Sequence, residues 1–92
     1  MMNNTVGKRL RWLRYVGEVT QAEVGALAEL SSAYVGHIEN GRRSPLAENL
    51  ASIALVLGCS LDWLCSGTGE QPTRAEVFGA LTIARDSRGV EL

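Results

Sequence analysis

Proline is scarce in this chain, at 2 residues, and aromatic side chains make up only 5%. With so little proline, 10 glycines do not amount to a low-complexity, disordered composition. Cysteine is also limited to 2. Two thiols cannot build a disulfide framework, and no histidine stands at metal-site spacing from Cys59 or Cys65. Both are read as reduced, packed side chains. Long apolar runs are missing too. "SIALVLGC" is the best candidate and falls far short of the roughly 18 residues a membrane span requires. The opening "MMNNTVGKRLRW" has no apolar signal core ahead of its charges. These absences point to a cytoplasmic protein with no membrane partner.

Catalytic equipment is equally thin. There is 1 histidine, His37, and no Ser-His-Asp, Cys-His or metal constellation can be assembled around it. "SGTGEQ" lacks the lysine of a phosphate-binding loop. The chain is therefore read as no enzyme, with no cofactor. Strand signals are absent as well: no alternating Val/Ile/Thr run exists, and no Asn-Gly turn sits between two such runs.

What is present is a chain of 92 residues, enough for one small domain with a modest core. Its 46% hydrophobic content and mean hydropathy of +0.03 suit a soluble globular protein. Net charge is −1 and the pI about 5.8, a poor global signal for a polyanion partner. The distribution says more. Residues 1–43 carry six cations against four acids, a balance of +2, and residues 44–92 three cations against six acids, a balance of −3. Such polarisation allows a positive face on a nearly neutral protein.

Apolar residues recur with helical period throughout. Val6, Leu10 and Leu13 define a first helix over 5–16, ended by Gly17, with Lys8, Arg9 and Arg11 on other, solvated faces. Thr20 and Glu23 form a capping box that opens a second helix over 21–28, with Val24, Leu27 and Ala28 inward. A turn at 29–31 follows, and Ser31 caps a third helix over 32–39 with Val35 and Ile38 inward. "NGRRSP" stops that helix, then starts a fourth over 45–57 with Ser44 as cap, Pro45 in the first turn and Leu46 in the buried stripe. Ser60 caps a short fifth helix over 61–65. "SGTGEQP" is a linker, and the Thr73–Glu76 capping box opens a sixth helix over 74–86. Its stripe of Val77, Phe78, Leu81 and Ala84 either folds over the core or pairs with a second subunit. These side chains are the dimerisation candidates. The architecture expected is all-α: a five-helix domain over 1–68, then a linker and C-terminal helix over 69–92.

Helices two and three, short and joined by a tight turn, have the layout of a helix-turn-helix unit. Small or apolar residues stand where a near-perpendicular pair must touch, and Gly25 permits close approach. Ser31, Ser32 and His37 are left on the outer face of helix three.

From "TQAE" through "YVGHIENGRRSP" to "LGCSLDWL" and "SGT", residues 5–68 resemble the Cro/CI-type (Xre-like) helix-turn-helix family. The last pieces are especially like the N-terminal domains of lambdoid phage repressors. Two features depart from the pattern: Glu29 stands where the turn usually holds Gly, and Ser32, Ala33 and Gly36 replace longer reading side chains. The resemblance implies a lambda-repressor-like fold, a double-stranded DNA operator as partner, homodimerisation, and a bacterial or phage-encoded regulator associated with the nucleoid.

In that family the start of helix three enters the major groove, while helix two crosses the backbone. By position, Ser32, Ala33 and His37 are then base-edge candidates, with Tyr34 and Gly36 beside them. Gln21, Ser31, Asn40, Arg42 and Arg43 are phosphate candidates. Ser31 is equally explained as a helix cap, Asn40 can serve as cap and phosphate contact together, and the alternative for the two arginines is a solvated loop. Lys8, Arg9 and Arg11 are read as a solvated face, with the alternative that one of them meets phosphate. Arg14 and Glu39 match a family pair joining helix one to the end of helix three. The rival expectation is a protein-interaction module, an antitoxin-like helix-turn-helix protein that binds a protein such as a toxin.

Overall fold

A computed structural model describes residues 5–88. Among these there is no strand. Six helices follow in order: α1 (Val6–Gly17), α2 (Gln21–Ala28), α3 (Ser32–Glu39), α4 (Ala47–Leu57), α5 (Leu61–Ser66) and α6 (Arg74–Arg88). The all-α, lambda-repressor-like architecture is as the sequence indicates.

The caps explain most boundaries. Thr5 Oγ1 accepts from Lys8 N at 3.1 Å, and Thr20 and Glu23 exchange bonds in a complete capping box. Ser31 and Ser60 start α3 and α5 by accepting from Tyr34 N and Trp63 N, each at 3.0 Å. Thr73 and Glu76 repeat the reciprocal arrangement before α6.

Two boundaries differ from expectation. Glu18, not Gly17, holds the left-handed position after α1, at φ 56°. Gly17 is instead a packing residue: a Cβ there would come within 2.9 Å of Leu81 Cδ1 and Val77 Cγ1. The start of α4 also shifts. Ser44 and Pro45 lie ahead of it, Leu46 is its cap residue with no side-chain bond, and Leu46 is 60% exposed rather than buried. Tyr34 reaches this start from α3: its hydroxyl accepts from Leu46 N at 3.3 Å and from Asn49 Nδ2 at 3.0 Å. These bonds hold the start of α4 to α3 without capping its first-turn N–H groups.

The core gathers Leu10, Leu13, Val24, Val35, Ile38, Ile53, Leu57 and Leu64 with Val77 and Leu81. The last two correct an expectation. Offered by the sequence as dimerisation candidates, both are fully buried against their own chain, and Ala84 is partly buried beside them. Burying side chains of this size is worth about 1.5–3 kcal/mol each, so intramolecular docking wins for this stripe. Its seat is made by Gly17 and by Gly58, where a Cβ would lie 2.8 Å from Ala80 Cβ. Three ion pairs line the same seam: Arg74–Glu18, Arg85–Glu23 and Arg88–Glu29. Arg74–Glu18 and Arg88–Glu29 are exposed and orient α6 more than they stabilise it, whereas Arg85, 17% exposed, is the more enclosed partner.

Two further readings change. Arg9 is buried, not solvated: its Nε donates to Leu64 O and its Nη2 to Cys65 O, both at 2.8 Å, so it closes the end of α5. Cys65 is exposed rather than packed. Cys59 is half-buried, and burial pushes its thiol up to about 11. Trp63 lies in the core, and partly buried Trp12 meets it edge-to-face at 5.9 Å. Among the described residues, no helix is long and apolar enough to cross a membrane.

Candidate nucleic-acid interface

The α2–α3 turn decides how the candidate reading helix is presented. Glu29 closes α2 at φ 61°, a left-handed conformation that costs a residue with a Cβ about 1–2 kcal/mol. Leu30 N then donates back to Gly25 O at 2.7 Å. A Cβ on Gly25 would lie 2.6 Å from Leu30 O, so only glycine lets the turn fold this tightly onto α2.

The outer face of α3 carries exposed Ser32 and Ala33 and partly buried His37. Ser31 is exposed while its side chain caps the helix. The other two residues of the expected reading set sit differently. Gly36 is buried, and a Cβ on it would stand 3.2 Å from Gln21 Oε1, so it receives α2 rather than facing outward. Tyr34 turns toward α4, through the hydroxyl bonds already described, while Arg43 covers its ring at 5.7 Å.

Behind this face lies a charged cluster. Arg14 grips Glu39 with two parallel bonds, Nε to Oε2 at 2.5 Å and Nη2 to Oε1 at 2.8 Å, and its Nη1 donates to Val19 O at 3.1 Å. Gln21 Nε2 adds a third bond to Glu39, at 3.2 Å. One carboxylate thus ties α1, the start of α2 and the end of α3 together. Burial alone would raise the Glu39 carboxyl. The bonds from Arg14 and Gln21 and the charges of Arg14 and Arg11 outweigh it, holding the group below the usual carboxylate range. The bond to Glu39 raises Arg14 in turn.

Asn40, Arg42 and Arg43 are exposed on the loop after α3. Asn40 Oδ1 accepts from Arg11 Nη2 at 3.2 Å. The sequence places Arg11 among three cations read as a solvated face, one of which alternatively meets phosphate, and does not single it out. Its partners Asn40 and Glu39 lie 29 and 28 positions away, and helical periodicity carries no information about contacts at that separation. Among the described residues no group of His, Cys, Asp or Glu could hold a metal ion.

Two short helices in this relation, with polar and small residues outward on the second and cations around its end, define a helix-turn-helix unit. Residues 17–64 match the family model described as "Helix-turn-helix". The chain belongs to the Cro/CI-type (Xre-like) helix-turn-helix family. It is similar to the "HTH-type transcriptional regulator DicA" of Escherichia coli (strain K12), at 33% identity over 72 residues, 77% of this chain and 53% of that protein. It is also similar to the "Transcriptional regulator ClgR" of Mycobacterium tuberculosis, at 30% identity over 92 residues, all of this chain and 82% of that protein. The chain thus spans about half the length of the first relative and most of the second. No solved structure matches it significantly.

Proposed function

We propose that this chain is a sequence-specific, double-stranded-DNA-binding transcriptional regulator that reads the major groove with α3. The observation that carries the reading is the exposed edge of Ser32, Ala33 and His37 on a helix whose end is locked by Glu39. Ser32 can donate or accept at several base edges, Ala33 can touch a thymine methyl, and His37 can donate to a guanine. Gln21, Ser31, Asn40, Arg42 and Arg43 surround that edge and suit the sugar-phosphate backbone. The printed names of both relatives, as transcriptional regulators, agree with this reading.

Three short reading side chains supply too little discrimination for one domain. The working form is therefore a homodimer on paired half-sites about one helical turn apart. Support comes from Leu55 at 80% exposure and Ile83 at 68%, neighbours over a groove of about 460 Å³ between α4 and α6. These two side chains, not Val77 and Leu81, are available to a second copy. Repression of phage type, by occupying an operator in the bacterial cytoplasm and blocking polymerase, completes the proposal.

The test is selection of bound sites from random duplex DNA, followed by anisotropy titration of the winner at several salt concentrations. A two-fold-symmetric site should emerge, and Ser32→Ala combined with His37→Ala should abolish the preference for it. Failure of any site to enrich, with no binding at low salt, would overturn the reading in favour of a protein partner.

A further inference from the structure

Arg11 stands between two hollows of the surface. One, of about 470 Å³, opens beside Thr20 at the start of α2 and is lined also by Arg14, Tyr15 and Glu18, whose carboxylate is paired with Arg74. The other, of about 290 Å³, opens at the end of α3 and is lined by Lys8, Asn40, Gly41 and Arg43. Arg11 lines both. Its side chain is 55% exposed, yet it is held in place: Nε lies 3.5 Å from Glu39 Oε1, and Nη2 donates to Asn40 Oδ1. Glu39 is already neutralised by its paired bonds to Arg14, so the charge of Arg11 is surplus to the cluster.

We propose that Arg11 is a phosphodiester-binding residue, bridging the hollow beside α2 and the hollow beside Asn40, and that it also positions the Asn40 amide. This rests on the DNA-binding reading above. Two features support it. A guanidinium already oriented by two partners loses little freedom on meeting a phosphate, and more than half of the Arg11 side chain stays exposed. The bond from Arg11 also occupies Asn40 Oδ1, which leaves the NH₂ as the end of the amide that can donate to a phosphate. Lys8 and Arg43 add positive charge to the same hollow.

The test uses the whole chain and a fluorescein-labelled random-sequence duplex of about 24 base pairs, so that phosphate contacts are read without base readout. The slope of log affinity against log salt counts cationic contacts, at about 0.9 per phosphate neutralised. Arg11→Met should reduce that slope by about 0.9 and weaken binding equally across sequences. Arg11→Lys should restore the slope. Asn40→Ala should weaken binding without changing the slope, because its amide is neutral, and should cost less on the Arg11→Met background than alone. Circular dichroism should show all variants folded, since Arg14 and Gln21 still hold Glu39. Wild-type binding with an unchanged Arg11→Met slope overturns the Arg11 assignment and leaves the DNA reading intact. Absence of salt-dependent binding by the wild type overturns both.

Discussion

Arg14 and Glu39 meet in a two-bonded pair that joins the first helix of the chain to the last turn of the third, with the Glu39 side chain 1% exposed and that of Arg14 20%. A buried carboxylate so placed does not tolerate losing its partner. Arg14→Met should destabilise the domain by about 3 kcal/mol, whereas Glu39→Gln, which removes the charge but keeps the shape, should cost about 1–2 kcal/mol. Urea denaturation at neutral pH measures both.

The same pair sets an acid limb. The folded Glu39 carboxyl lies below its unfolded value, so its contribution is complete above about pH 4.3. That contribution is lost as pH falls through the folded value. Stability of the wild type should therefore drop on acidification below about pH 4.3 more steeply than that of Glu39→Gln. Equal slopes for the two in urea titrations across that range would contradict the assignment.

Leu81 and Ile83 lie two residues apart on α6 and should behave oppositely. Leu81→Ala opens a cavity beneath Gly17 and should cost about 2–5 kcal/mol, at any protein concentration. Ile83→Ser should leave monomer stability within about 0.5 kcal/mol. Sedimentation equilibrium should show that Ile83→Ser, and Leu55→Ser with it, shift self-association toward monomer.

The α2–α3 turn carries a correctable strain. Glu29→Gly relieves the left-handed position but removes the exposed Arg88 ion pair. The first effect is about 1 kcal/mol and the second smaller, so a net gain of about 0.5 kcal/mol is expected. Thermal melts of the two proteins decide the sign.

Tyr34→Phe isolates one hydroxyl. The ring and its contact with Arg43 survive, while Leu46 N and Asn49 Nδ2 lose their acceptor at the start of α4. A loss of about 1 kcal/mol is expected in urea denaturation. A silent substitution would mean that water replaces the hydroxyl at no cost.

Local chemistry by itself determined where most helices lie. Thr20 with Glu23, Ser31, Ser60, and Thr73 with Glu76 act within three or four residues of themselves, so their capping needs no knowledge of the fold. The inward faces of α1 to α3, the departure at Glu29 and the Arg14–Glu39 pair were legible too, the last two through family resemblance. Tertiary structure alone decided the rest. Arg9 finds its partners at Leu64 and Cys65, Arg11 finds Asn40, Tyr34 finds the start of α4, and α6 settles on Gly17 and Gly58. Each contact joins residues far apart in sequence or fills a space created by other helices. Periodicity marks which side of a helix is apolar, but only packing determines what that side meets, and whether a cation on the other side is buried, paired or left facing outward.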